Sequence, residues 1–319
     1  MPAILAFGFH DRKSPRHRSV CEELANDGGT VLECHTDVRG FFNKCRDLRK
    51  KFRALAPNAD TVLVPFPGHF LMPIAWAMTR RPRKKLIFDA FVSLYDTDVG
   101  DRRRFSRWRP RAWTLWAADW LSMHLADEVL IDTEAHRRFL IEKFHLNPAR
   151  VRAVYLQARN DLFYPIRNHK SEIRDRFEVF FYGTVIPLQG IEYILDAARI
   201  LEERSAPVHF SMVGSEKLKR MVEESGRKNI AAGAFVPMEK LPDMIRSADL
   251  CLGIFGTSGK ARRVIPHKVV DAIACGVHVL TADTPAIRER YANCPLVHLT
   301  RPGDAGEIAA AILRILKRP

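Results

Sequence analysis

No apolar run in this 319-residue sequence reaches the roughly 18 residues that a membrane-crossing helix requires, so no spanning helix is expected. The N-terminus, MPAILAFGFHDRK, lacks a basic segment ahead of its apolar stretch. It reads as a first buried strand rather than a signal peptide. Cysteine is sparse. The six residues (Cys21, Cys34, Cys45, Cys251, Cys275 and Cys294) form no C-x-x-C pair and no His/Cys ligand spacing. A reduced, cytoplasmic chain without a structural metal is the simplest expectation. No internal repeat and no low-complexity tract occurs, which argues against solenoids and disordered linkers. Acidic residues are in deficit, 37 against 51 Lys and Arg, leaving a net charge of +14. The excess is uneven: residues 1–160 hold 28 basic and 18 acidic residues, whereas 161–319 hold 23 and 19. That balance fits an anionic partner, whether nucleic acid, membrane surface or phosphorylated substrate.

With 47% hydrophobic and 28% charged residues the chain is globular, and its length suits two domains of about 150 residues each. Short β-branched or apolar runs alternate with helical patterns, which predicts parallel sheets. In the first half the runs are Ile4–Phe9, Val31–Cys34, Thr61–Pro65, Leu86–Phe91, Glu128–Ile131 and Val151–Tyr155. In the second they are Glu178–Tyr182, Val208–Val213, Leu250–Ile254, Val277–Thr281 and Val297–Leu299. The stretch Gln157–Lys170, with Pro, Asn and charge but no periodicity, reads as a linker. The expected domains are therefore 1–160 and 161–303, followed by a last helix over 304–319. Two doubly wound α/β sheets in tandem bind ligands at the carboxyl ends of their strands, and here the two domains are expected to face a cleft.

Phe180–Gly190, FFYGTVIPLQG, is a strand ending at Gly183 and followed by a helix that Pro187 can open. Helix N-termini with free N–H groups bind anions. A second strand ends at Gly214, and a third segment, Lys260–Gly276, reads KARRVIPHKVVDAIACG. There Arg262, Arg263 and Lys268 crowd a helix start, a placement the helix dipole opposes unless an anion sits between them. A solvated charge run is the plain alternative, and a diphosphate clamp the functional one.

In order and spacing, YGTVIPLQGIEYILDAARIL, FSMVG, LPDMIRSADLCLGIF and VIPHKVVDAIACGVHVLTADTPAIRE resemble the donor domain of GT-B glycosyltransferases over residues 175–315. The likeness is to the large retaining group that includes many polysaccharide and lipid-linked glycan enzymes, the family 4-like glycosyl transferases group 1. It implies two Rossmann-like domains, with the C-terminal helix returning to the first. It also implies sugar transfer from a nucleotide-sugar to a glycan or lipid-linked acceptor, without cofactor or metal. On the matching positions, Gly8, Gly183, Thr184, Gln189, Gly214, Lys260, Val264, Ile265 and Asp271 would bind the donor. Asp271 would hold the ribose, and Arg263 and Lys268 would serve catalysis at the leaving diphosphate. The sequence departs from the family at two places. Gln189 stands where a lysine is usual, and Arg263 stands where the first of two glutamates is expected; Lys260, Arg263 and Lys268 would replace the lost cation.

The first half matches in rhythm only. Asp89 ends a buried strand, where a carboxylate needs a partner or a task. It is a candidate catalytic residue, and His10, Ser93 and Asp96 are candidates for acceptor contacts. Asp96-Thr97-Asp98 is a D-x-D, a metal-binding pair in another transferase fold, although no metal is expected here. Arg102–Trp120 holds six arginines and four tryptophans, which suits peripheral docking on the anionic inner face of a membrane. A buried face is the alternative, since Trp113, Trp116 and Trp120 recur at helical spacing. The competing readings are a catalytically silent nucleotide-sugar-binding protein, a nucleotide-sugar epimerase and a nucleic-acid-binding protein. Against the last, the basic residues accompany no recognised nucleic-acid fold, and no nucleic-acid partner is expected.

Overall fold

The structure is a computed structural model that describes residues 3–26, 28–166 and 176–317. The chain divides after Gln157 into two units, 1–157 and 158–319. Residues 167–170 of the expected linker lie outside the described residues.

In the first unit the apolar runs form strands Ala3–Gly8 (β1), Thr30–His35 (β2), Thr61–Val64 (β3), Lys85–Asp89 (β4), Glu128–Ile131 (β5) and Val151–Ala153 (β6). Between them lie helices Pro15–Asn26 (α1), Phe41–Leu55 (α2), Met72–Met78 (α3), Pro110–Leu125 (α4) and Glu134–Phe144 (α5). The sheet is parallel throughout, in the order β2-β1-β3-β4-β5-β6. Helices cover both of its faces, and for that reason β3 and β5 read as continuous apolar runs rather than alternating ones. The strand order reverses between β1 and β3, which makes the carboxyl ends of those strands the natural ligand crevice of this unit.

The second unit comprises strands Phe177–Gly183 (β7), Val208–Gly214 (β8), Ile230–Ala234 (β9), Leu250–Leu252 (β10), Val279–Ala282 (β11) and Val297–Thr300 (β12). Its helices are Ile191–Glu203 (α6), Glu216–Ser225 (α7), Leu241–Ser247 (α8), His267–Ala274 (α9), Pro285–Tyr291 (α10) and Ala305–Leu316 (α11). The parallel order β12-β11-β10-β7-β8-β9 reverses between β7 and β10. Strand β9 was absent from the sequence reading. Its residues, IAAGA, are small and mostly exposed at a sheet edge, so they carry no β-branched signature after the first position.

Within the second unit, α11 packs on α6 and the β11–β12 edge. Ile308, Ala309, Ile312 and Ile315 line one stripe of α11, and it is buried with Ile194, Ala198 and Leu201 of α6 in a single core. The alanines let the helices approach closely. Asp304 caps α11 through the backbone N–H of Glu307. Among the described residues no helix is long and apolar enough to cross a membrane.

Candidate functional site

In the second unit the site is built at the reversal point. β7 and β8 end in register at Gly183 and Gly214. A Cβ on Gly214 would lie 2.0 Å from the Gly183 carbonyl oxygen, so both strand ends can run side by side only as glycine. Gly183 has φ 155°, and a Cβ there would sit 3.0 Å from Lys268 Nζ and 3.4 Å from Gln189 Nε2. Thr184 follows on the surface, then a single helical turn, Pro187–Gln189, and Gly190 in the left-handed region (φ 65°) before α6. Two backbone bonds fasten this turn to the end of β10: the N–H of Phe255 donates to the Gln189 carbonyl (3.1 Å) and that of Gly256 to the Leu188 carbonyl (3.2 Å).

Lys268, the second residue of α9, is 4% exposed. Its Nζ donates to Gln189 Oε1 at 2.5 Å and lies 3.7 Å from the centroid of the Phe181 ring. Burial holds the ammonium pKa well below the usual lysine value. A buried cation at a helix start, met by one neutral amide and the face of a ring, is poised for an anion that would supply what the protein withholds. One turn further along α9, the buried Asp271 accepts a hydrogen bond from the Tyr182 hydroxyl (2.7 Å). Burial first, and the Asp271 charge second, raise the pKa of that phenol.

Between β10 and α9, Lys260 is buried, and the Arg263 guanidinium folds over Gly259, 3.0 Å from where a Cβ would sit. Val264 and Ile265 are buried as well, and Val264 joins Ile254 and Ala261 in a small satellite core. Their side chains anchor the loop. The structure brings Gly183, Gln189, Gly214 and Lys268 to one place, with Asp271 held to it through Tyr182.

In the first unit two sequence candidates have partners of their own. Asp89 pairs with Arg16. Its carboxylate is wholly buried against Arg16, whose Nε lies 2.9 Å from Oδ1 and 3.2 Å from Oδ2, while a terminal nitrogen lies 2.7 Å from Oδ1. Arg16 also donates to the Val154 carbonyl. This pair joins α1 to β4 and the segment after β6. The Ser93 hydroxyl donates to Asp119 Oδ2 at 2.6 Å and receives the Asp96 N–H at 2.9 Å. Asp119 also accepts the N–H groups of Leu94 and Tyr95, and burial pushes its pKa up to about 6. His69 Nε2 approaches the same carboxylate at 3.3 Å, and burial lowers its pKa to about 4. Asp96 is buried in a turn of helix over Asp96–Asp101, and Asp98 pairs with Arg104. Gly8 ends β1 beside His10, which is buried and bonded to Glu33.

Comparison with known proteins adds the following. Residues 176–318 match the family described as glycosyl transferases group 1. That match lies within the second unit. Chitobiosyldiphosphodolichol beta-mannosyltransferase of Candida albicans is 23% identical over 180 residues, covering 50% of this chain and 39% of its own. This chain thus spans well under half the length of that curated relative. Two solved structures cover 99% of the chain and 90% of their own. They are sucrose-phosphate synthase from Thermosynechococcus elongatus (TM-score 0.72, 15% identity) and Anabaena HepE in complex with UDP and glucose (0.69, 16%). The fold is GT-B.

Lys268 reaches the Gln189 turn from α9. Residues that sequence reasoning missed are Tyr182, Asp119, His69, Glu33 and the buried His136–Asp132 pair (2.8 Å). Only the last left a local trace, a carboxylate and a histidine four residues apart at a helix start.

Proposed function

We propose that the chain is a retaining glycosyltransferase that moves a sugar from a nucleotide-sugar donor to a glycan or lipid-linked acceptor, with no cofactor and no catalytic metal. The observation that carries this reading is Lys268 Nζ at the Gly183–Gln189 turn, 2.5 Å from Gln189 Oε1, in a unit that matches the glycosyl transferases group 1. The leaving diphosphate would lie on the turn with its charge met by the ammonium and by the uncapped N–H groups of α9. Asp271, steadied by Tyr182, would hold a sugar hydroxyl of the nucleotide. A lipid-linked acceptor is supported by the activity for which the Candida relative is named, and a uridine nucleotide by the UDP bound to HepE. The test is a panel of nucleotide-sugars, beginning with UDP-glucose. Donor consumption is followed by NMR, with the anomeric configuration of the product read in the same spectra. Transfer with retention supports the proposal; binding without turnover marks a catalytically silent nucleotide-sugar-binding protein.

Because protein cations neutralise the leaving group, millimolar Mg²⁺ or Mn²⁺ is expected to leave the initial rate unchanged. A rate that depends on added Mn²⁺ would return the metal role to the D-x-D carboxylates.

The first unit would dock on the anionic inner face of a membrane. Trp108 is 72% exposed and Trp113 61%, with the Arg107 guanidinium over the Trp108 ring at 4.8 Å. Trp116, by contrast, packs on Phe144 and is spent on the core. A second patch, not read from the sequence, opens α2: Phe42 is 86% exposed beside Phe41, on a helix rich in Lys and Arg. Each basic residue near an anionic leaflet contributes about 1 kcal/mol. Replacing Arg102, Arg103, Arg104 and Arg107 with Ser is therefore expected to lower co-sedimentation with phosphatidylserine vesicles by at least tenfold, while neutral vesicles retain little of either protein. Equal recovery of both proteins with anionic vesicles would remove the docking role.

A further inference from the structure

Three side chains from three consecutive elements meet at the carboxyl end of β1 and β2. His10 follows β1, His17 lies in the first turn of α1, and Glu33 lies within β2. Glu33 Oε2 is 3.1 Å from His10 Nε2, and its Oε1 is 2.8 Å from His17 Nε2. One nitrogen or oxygen from each residue lies within 4.8 Å of the other two. One turn along α1 from His17, the Cys21 sulfur is 3.5 Å from His17 Nε2. The expectation that the chain holds no His/Cys ligand spacing is therefore corrected: His17 and Cys21 stand four residues apart on one helix face, and the fold adds His10 and Glu33.

A hydrogen-bonded His–Glu–His triad would account for the two Nε2 atoms but not for the rest. His10 is 3% exposed, and its Nδ1 is buried with no hydrogen-bond partner. The Glu33 carboxylate is 33% exposed, which gives a small ion a route in from solvent. Four donors on a tetrahedral zinc ion stand about 3.4–3.6 Å apart, given bonds of about 2.0–2.1 Å to nitrogen or oxygen and 2.3 Å to sulfur. The three bonded separations here, 3.1, 2.8 and 3.5 Å, lie close to that range. Two imidazoles with one carboxylate and a thiol suit the zinc class of cation, whereas magnesium and calcium select all-oxygen sites.

We propose that His10, His17 and Glu33 bind one divalent transition cation of the zinc class, with the Cys21 thiolate as fourth ligand. The cation would clamp the loop after β1 and the start of α1 to β2. It would therefore steady the helix that carries Arg16 against Asp89, and it would not act on the sugar diphosphate.

The test uses the tag-free chain after dialysis against chelator. It is titrated with Co²⁺ by absorption spectroscopy and with Zn²⁺ and Mg²⁺ by calorimetry. One Co²⁺ per chain is expected, displaced by Zn²⁺, with no heat from Mg²⁺. Glu33→Gln and His17→Gln should each weaken Zn²⁺ binding by at least about tenfold, the lower range for disturbing a metal's ligand environment. Cys21→Ser should remove the thiolate-to-cobalt absorption; an unchanged spectrum would overturn the Cys21 assignment. No stoichiometric Co²⁺ uptake by the wild-type chain overturns the site outright, whatever the folding of the variants. Uptake unaltered by both Glu33→Gln and His17→Gln places the cation elsewhere and overturns it as well.

Discussion

Lys268→Met is expected to lower kcat/KM for the nucleotide-sugar donor by a factor on the order of 10²–10³, the usual effect of removing one donor aimed at developing negative charge. Methionine keeps the length and apolar stem of lysine, so its contact with the Phe181 ring survives and the loss reports charge. Charge on the diphosphate grows as the glycosidic bond breaks, so the larger share of the effect should fall on kcat rather than KM. The ammonium also sets a pH dependence. Burial lowers its pKa in the free protein, and a diphosphate beside it raises the value again. Donor binding therefore takes up a proton between the two pKa values. Affinity is highest below the free-state value and falls by up to about tenfold per pH unit above it, until the bound-state value is passed. Steady-state kinetics over a pH series check both parts. Unchanged kcat in Lys268→Met, with a flat affinity profile in the wild type, would take the ammonium off the diphosphate.

Arg16→Met is expected to destabilise the first unit by about 3–5 kcal/mol, because it strands the buried Asp89 carboxylate without its partner. For a unit of this size that corresponds to a fall in Tm of roughly 6–20 °C. The cost comes from the orphaned charge more than from the lost attraction. The double variant Arg16→Met/Asp89→Leu should accordingly recover much of the loss, since an apolar pair of similar volume often replaces a buried ion pair at little cost. Thermal unfolding of the two single variants and the double variant measures this directly. Simply additive losses in the double variant would mean that the two side chains act independently. The same series separates positioning from catalysis: wild-type kcat in the refolded double variant would confirm that Asp89 holds the scaffold and does not touch the sugar.

What could be read from the sequence followed from local signals. Eleven of the twelve strands among the described residues coincide with apolar runs because parallel strands covered on both faces must be apolar throughout. The glycines at 183 and 214 were legible because a strand that stops at glycine before a helix is a local pattern. What the sequence hid is non-local. Asp89 was visible as a carboxylate needing a partner, but its partner Arg16 stands 73 residues away. Ser93 and Asp96 looked like open acceptor contacts, yet Asp119, 26 residues beyond Ser93, takes up the hydroxyl. Val264 and Ile265 sit in the family motif, and only packing reveals that their side chains face inward. Lys268 was named among three candidates to replace the cation lost at Gln189, but the Nζ–Oε1 contact spans 79 residues and only the fold shows it.

The central claim, that the Gly183–Gln189 turn and Lys268 together form the donor diphosphate site, is tested most directly by calorimetric titration of UDP into the wild-type chain and into Lys268→Met at two pH values. The account predicts one site in the wild type, with proton uptake on binding and weaker affinity at the higher pH. It also predicts that the affinity loss in Lys268→Met is largest at the lower pH, where the ammonium is charged. Equal affinities for the two proteins at both pH values would contradict it.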